Sequence, residues 1–396
     1  MLLCTSNLNP INSFIHFVPY TLMKNIFYNT LLLILLYACG SNSSAPATEA
    51  KIEVQAETTV IPDTLSSVFF RKYSGNIGDL PIVIDLARNQ EKISGTYYYK
   101  NIGVPIALEG DINSDGSFNV KEYGNGSVTG IFEGVIPAKG NITGFWYNAK
   151  KSKSLPLNLI EITEGFAQVA FDERKAKNCK FAKEAQQLEI AGSEDGCTTL
   201  YIEFLKVNTP TTEISTKINS TLISNIIDAS ESGNKFNDID QFMKIVNIQT
   251  AEDGFNGEVS CNVLTNGNNT LSVGISTNWF SFGAAHAMYN TEYINFNLST
   301  GNIVQLEELL KPGFEGPLNR IAEANFVKEY GTEGWEFEPG NFSLNRNFSI
   351  QPGGLLFQFS PYEIGAFSSG TPAVFVNYKS ISNWIQPKGL LAGWLQ

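Results

Sequence analysis

Ile93-Ser94-Gly95-Thr96-Tyr97-Tyr98 and Ile142-Thr143-Gly144-Phe145-Trp146 are the two phrases that decide how the first half of this 396-residue chain is read. Each is a short strand signal with a glycine inside it, and Lys72-Tyr73-Ser74-Gly75 has the same character. Between residues 66 and 163 the full set of strand candidates is Val68–Tyr73, Pro81–Leu86, Ile93–Tyr99, Pro105–Gly110, Ser117–Tyr123, Val128–Val135, Ile142–Tyr147 and Leu155–Ile162. Turn signals at Gly75, Gly78, Asp115-Gly116, Gly124, Gly126 and Lys139-Gly140 separate them. Short strands at roughly 8–12-residue spacing imply an all-β barrel or sandwich. Gly95, Gly130 and Gly144 lie inside strands, where glycine marks a sharp bend or a close backbone approach. An antiparallel β-barrel is expected over residues 61–165.

Upstream, Met23-Lys24 opens a short basic region, and an apolar run follows from Ile26 to Ala38. That length suits a signal peptide and is short of the ~20 apolar residues of a spanning helix. The run ends in Leu36-Tyr37-Ala38-Cys39, which resembles the bacterial lipobox. The expectation is a signal peptide over 1–38 with its true start at Met23. Lipidation at Cys39 and a lipidated N-terminus and linker over 39–60 follow from the same resemblance. A lipid on Cys39 would tether the protein to a membrane. Gly40 after that cysteine resembles outer-membrane lipoproteins, so an anchored place in the cell envelope, on the periplasmic or surface face, is expected.

Charge bounds the partners. There are 27 Lys plus Arg against 39 Asp plus Glu, a net charge of -12, and this acidic balance repels nucleic acid. A hydrophobic fraction of 43% is ample for packed cores.

Downstream, residues 166–197 are polar and charged and read as a connector, helical over 164–195. Cys179 and Cys197 flank it and are candidates for a disulfide in an oxidising compartment. Cys261 alternates with Val259 and Val263 and reads as a buried small hydrophobe on a strand. From Thr198 onward a strand at Leu200–Leu205 is followed by helical spacing at Ile214, Ile218, Leu222, Ile226 and Ile227. A second helix is expected over Phe236–Val246, then a hairpin of Asn256–Thr265 with Thr270–Phe280. A strand at Tyr293–Leu298 comes next. Helices at Leu306–Leu310 and Leu318–Tyr330 are split by Pro312 and Pro317. Strands near Phe348–Ile350, Leu355–Phe359 and Ala373–Tyr378 and a short helix from Ser380 complete an α+β domain over 198–396, with an antiparallel sheet and packed helices.

Three phrases in this second half carry a resemblance: Phe282-Gly283-Ala284-Ala285-His286, then Tyr293-Ile294-Asn295-Phe296-Asn297-Leu298-Ser299-Thr300-Gly301, then Val304-Gln305-Leu306-Glu307-Glu308-Leu309-Leu310. Gly354-Leu355-Leu356-Phe357-Gln358-Phe359-Ser360-Pro361-Tyr362-Glu363-Ile364 extends it. Together they resemble a domain of unknown function shared by the lysozyme-sensing anti-sigma factor RsiV and by peptidoglycan deacetylases of the PdaC type. The family usually has Gly-Gly before Ala-His, whereas this chain has Gly283-Ala284, which bears on a tight turn there. The resemblance implies a non-catalytic module that binds or senses a cell-wall fragment or a lysozyme-like protein. Direct anti-sigma activity is not expected, because no sigma-binding segment is recognised. The first half is loosely similar to avidin- or lipocalin-like barrels, which implies a second reading as a small-ligand carrier.

A third reading is a cell-wall polymer hydrolase or deacetylase using His286. That histidine is the only one downstream of Met23, so a zinc site with two or three histidines is excluded, and no cofactor is expected. His286, Trp279, Tyr289, Tyr362 and Glu363 are the ligand-binding candidates. The rings among them could stack on sugars or anchor a protein, or could belong to a core. Asp111, Asn113, Asp115 and Glu122 match the ligand spacing of an EF-hand calcium loop. The flanking segments are strand-like, and Asn113-Ser114-Asp115-Gly116 is also a hairpin turn.

Overall fold

The computed structural model describes residues 65–124, 127–179, 197–229, 238–244 and 254–395. Cys39, the 1–38 segment and the 39–60 linker lie outside them.

Eight strands come first: β1 (Val68–Ile77), β2 (Leu80–Asn89), β3 (Lys92–Tyr99), β4 (Ile106–Ile112), β5 (Ser117–Gly124), β6 (Ser127–Val135), β7 (Ile142–Asn148) and β8 (Ser154–Ile162). Each pairs antiparallel with its sequence neighbour, and β8 returns to β1 from Lys72↔Ile162 to Ile77↔Leu157, closing the barrel. Closure removes both sheet edges. Alternate residues point inward and fill the interior: Tyr73, Ile84, Tyr97, Leu108, Val120, Phe132 and Leu159 are all at most 3% exposed. This corrects the carrier reading, because aromatic rings and branched aliphatics take up the space a small ligand would need. The interior glycines mark close approaches. A Cβ on Gly95 would stand 1.9 Å from the Asp85 carbonyl, and one on Gly130 would stand 2.5 Å from Trp146 Nε1.

The second half is built on a five-stranded sheet. Its strands are β9 (Gln168–Asn178), β10 (Thr198–Asn208), β11 (Phe255–Gly267), β12 (Thr270–Ser281) and β13 (Met288–Asn297), in the order β13-β12-β11-β10-β9. The helical connector is corrected here. Gln168–Asn178 pairs along its whole length with β10. It reads as polar because an edge strand wears charges, and here Asp172, Glu173, Arg174 and Lys175 lie in the strand. The sheet is mixed rather than wholly antiparallel, since β10 and β11 run parallel from Thr199↔Asn256 to Ile202↔Val259. Parallel neighbours need a long crossover. Helix α1 (Thr212–Ala229) lies in that crossover, with Ile218, Leu222 and Ile226 fully buried in the core it shares with the sheet. Residues 239–244 form a short helix, α2, inside the range expected for it. The β11–β12 hairpin turns on Asn268 and Asn269, whose φ of 46° and 63° are those of a type I′ turn.

Helix α3 (Leu306–Leu309) and helix α4 (Glu315–Tyr330) follow. Pro312 lies between the two helices as expected, but Pro317 lies inside α4 rather than before it. It sits in the first turn, where its missing N–H has no intrahelical partner to lose. Strands β14 (Phe348–Gln351), β15 (Gly354–Gln358) and β16 (Ala373–Asn377) make a small antiparallel sheet that shares an aromatic-rich core with α4. The two sheets meet at a buried polar seam. Asn295 Nδ2 donates to the Phe348 carbonyl at 2.8 Å, and Asn295 Oδ1 accepts from Ile350 N at 2.9 Å and from Ser272 Oγ at 2.7 Å.

The barrel packs onto this second half. Gly353 N donates to the Gly103 carbonyl at 2.9 Å, and a Cβ on Gly103 would meet Gly353 Cα at 2.4 Å. On the barrel's outer wall Lys72 Nζ binds Asp85 at 2.7 Å, both side chains nearly buried, beside Gly267 of the hairpin. Among the described residues no helix is long and apolar enough to cross a membrane, which says nothing of a β-barrel.

Candidate ligand-binding surface

After β12 the chain reverses through residues 282–287. Gly283 takes a φ of 82°, and Ala284 N donates to the Ser281 carbonyl at 3.0 Å. One glycine meets the need of this turn; Ala284 is not in the left-handed region. His286 then stands exposed just ahead of β13, its Nδ1 3.1 Å from the Ala287 carbonyl.

Facing it is the loop after β15. Glu363 organises that loop: one carboxylate oxygen accepts from Ser360 N at 2.8 Å, and both lie within 3.1 Å of Asn345 Nδ2. Ser360 Oγ donates to Asn290 Oδ1 at 2.9 Å and fastens the loop to β13. Tyr362 is thereby held at a φ of 68°, a left-handed conformation that costs a non-glycine residue about 1 kcal/mol or more. Tyr362 is 55% exposed.

The hub is Phe367. His286 stacks on it with centroids 3.8 Å apart and planes 22° from parallel. Tyr289 meets it edge-on at 5.5 Å, and Tyr362 lies 5.4 Å away. Tyr362 Oη and His286 Nε2 are 3.4 Å apart. Three sequence candidates from two separate segments therefore converge on one ring. Phe367 itself was missed. It sits in Ala366-Phe367-Ser368, just ahead of the Ser369-Gly370 pair that fits the family resemblance, and only the fold brings it to His286.

The remaining candidates lie elsewhere. Trp279 pairs with Met288, whereas Tyr289 pairs with Asn278, so Trp279 and Tyr289 face opposite sides of the sheet. Trp279 instead packs 4.8 Å from Phe255 against the core under α1. Glu363 is a loop brace whose oxygens are occupied.

The calcium pattern does not assemble. Residues 111–122 form the β4–β5 hairpin. Asp115 Oδ1 accepts from Ser117 N at 2.9 Å, and Asp111 is an outward side chain at 2.5 Å from Lys92. Glu122 points the other way, into the barrel. There it accepts from Tyr97 Oη at 2.5 Å, Thr129 Oγ1 at 2.7 Å and Trp146 Nε1 at 3.0 Å. The strand period separates Asp111 from Glu122, and the EF-hand reading is corrected to a hairpin. Among the described residues no group of three or more His, Cys, Asp or Glu is placed to hold a metal ion.

Cys179 and Cys197 are joined as a disulfide. Cys261 is a buried free thiol, and burial pushes its pKa up to about 12.

Residues 307–379 match the family described as protein of unknown function (DUF3298), so the chain carries a DUF3298 domain in its C-terminal region. That span contains Tyr362, Glu363 and Phe367; His286 and Tyr289 precede it. Two solved structures are similar to this chain. A DUF3298-family protein from Bacteroides fragilis shares 15% identity at a TM-score of 0.45, covering 59% of this chain and 99% of that one. Another from Pseudomonas aeruginosa shares 15% identity at a TM-score of 0.43, covering 55% of this chain and 94% of that one. Comparison with curated proteins finds no match.

Proposed function

We propose that this protein is a cell-envelope lipoprotein, held to the outer membrane by a lipid on Cys39, that acts as a non-catalytic binding or sensing module. The ligand is a cell-wall fragment or a lysozyme-like protein, taken at the surface formed by His286, Tyr289, Tyr362 and Phe367. One observation carries this reading. Tyr362 is held in a strained backbone conformation with its ring half in solvent, and the rings around it stay on the surface rather than joining either core. Strain kept at an exposed aromatic points to contact with something outside the chain. Aromatic faces with a histidine at hand suit both sugar rings and protein side chains. The polar partners of His286 among the described residues are the Ala287 carbonyl and Tyr362 Oη, which supports a contact role over proton transfer.

The test is a pull-down with protein beginning at Gly40, offered lysozyme in one arm and a muropeptide mixture in the other. His286→Ala and Tyr362→Ala are run beside it. Saturable capture in one arm, weakened by both substitutions, is the expected result and names the ligand class. Capture in neither arm would remove the reading.

A further inference from the structure

The outer wall of the barrel has two unlike sides. On β1 and β2 the outward residues Phe70, Lys72, Asp85 and Ala87 are buried, and Phe70 and Ala87 share the core of the second half. On β6, β7 and β8 the outward residues stand in solvent. Strand alternation sends Phe132, Ile142 and Leu157 into the barrel, so the residues between them face out.

The register sets this bare side out row by row. Ile131 is opposite Tyr147, Glu133 is opposite Phe145, and Phe145 is in turn opposite Pro156. Val135 follows on β6, opposite Thr143. Val135 and Phe145 are each 50% exposed, and Ile160, further along β8, is 64% exposed. The Phe145 and Tyr147 rings stand 6.2 Å apart. Single apolar side chains in water are ordinary, but a group of them on one wall marks a surface that meets something apolar.

At one end of this wall the β7–β8 turn carries Lys150, Lys151 and Lys153, all exposed. Lys151 is engaged locally: its Nζ is 2.7 Å from Glu133 Oε1 and 5.3 Å from the centre of the Tyr147 ring. That pair neutralises the outward carboxylate of the wall. Lys121, next to Ile131 on β5, is opposed by Glu109 on β4 and adds no net charge. The ammonium groups of Lys150 and Lys153 have no ion-pair or hydrogen-bond partner among the described residues. Two free cations therefore edge an apolar wall on a chain of net charge -12. Exposed charges further off than about 8 Å are largely screened at physiological ionic strength, so the local sign decides what this wall attracts.

We propose that the β6–β8 wall is a membrane-contact surface for a bilayer with anionic headgroups. Phe145, Val135 and Ile160 enter the boundary between headgroups and acyl chains, and Tyr147 lies at that boundary with its hydroxyl toward water. Lys150 and Lys153 extend their stems along the apolar surface and bring their ammonium groups to the lipid phosphates. The combination selects the occupant. A soluble anionic polymer would satisfy the lysines and leave the aliphatic side chains in water, whereas a lipid surface meets both. This wall is separate from the Phe367 cluster, and its test needs neither the ligand of that cluster nor a lipid on Cys39.

The experiment is co-sedimentation of protein beginning at Gly40 with vesicles of phosphatidylglycerol and phosphatidylethanolamine, and with vesicles of phosphatidylcholine alone. Saturable binding to the anionic vesicles is expected, at least about tenfold weaker on the neutral ones. Lys150→Glu combined with Lys153→Glu should weaken anionic binding at least about tenfold, since each lysine at such a surface is worth roughly a factor of five. Phe145→Ser should weaken it about fivefold through lost apolar contact. Ile303→Ala, at an exposed apolar residue of the second half, should leave it unchanged. Unfolding midpoints of all variants should match the wild type, because every substituted side chain is exposed. No binding to anionic vesicles, equal binding to both vesicle types, or binding that the lysine and Phe145 variants retain would overturn the surface, as would an equal loss in Ile303→Ala.

Discussion

Glu122 and Phe367 each sit at the centre of a small polar–aromatic cluster, and the two clusters are opposites. Around Glu122, inside the barrel, Tyr97, Thr129 and Trp146 aim their donors at one carboxylate, and Tyr97 is 1% exposed. Around Phe367, His286, Tyr289 and Tyr362 gather by ring contact, and the polar atoms of His286 and Tyr362 lie at the surface. A buried network that satisfies its members specifies one core arrangement. An exposed one that leaves faces in water does little for the fold and remains available to a partner. Substitutions should therefore separate the two regions cleanly, stability falling in one and binding in the other.

The largest expected effect is Glu122→Ala. It leaves the buried Tyr97 hydroxyl and the half-buried Trp146 indole without their acceptor and should cost about 3 kcal/mol, read by urea unfolding. A loss under about 1 kcal/mol would mean that water or rearrangement satisfies Tyr97 and Trp146, and the contrast would blur. Next is Asn295→Ala. It strips the seam between the sheets of its bonds to Phe348, Ile350 and Ser272 and should cost about 2 kcal/mol in the same assay.

Phe367→Ala should do the reverse. Its ring supports three neighbours at the surface, so ligand affinity should fall about tenfold, about 1.4 kcal/mol, while the unfolding midpoint barely moves. Smallest is Tyr362→Gly. Glycine accepts the left-handed backbone without strain, so stability should hold or rise by about 1 kcal/mol even as binding weakens. A clear loss of stability would show that the Tyr362 ring serves the fold.

Much of the barrel was legible because its pairings are local. Every strand bonds to its sequence neighbour, so glycine and turn signals alone placed β3, β5 and β7 within a residue or two of their observed ends. β9 was hidden because an edge strand carries charge, and its run of Asp172, Glu173, Arg174 and Lys175 reads as a solvated connector. The candidate surface was half legible. His286, Tyr289 and Tyr362 were named from aromatic density and family likeness, but nothing local marks Phe367. Trp279, read as either a sugar-stacking ring or a core ring, faces the opposite side of the sheet from Tyr289 and packs in the core. The calcium pattern failed for the same reason: spacing that suits a loop between helices points Asp111 outward and Glu122 inward on strands.

The most direct test of the account is a calorimetric titration of the wild type and Phe367→Ala with whichever of lysozyme or muropeptide is captured, alongside their unfolding curves. The account predicts saturable wild-type binding, affinity about tenfold weaker in the variant, and superimposable unfolding. Equal affinities, or weaker binding accompanied by a matching loss of stability, would contradict it and return the Phe367 cluster to a purely structural role.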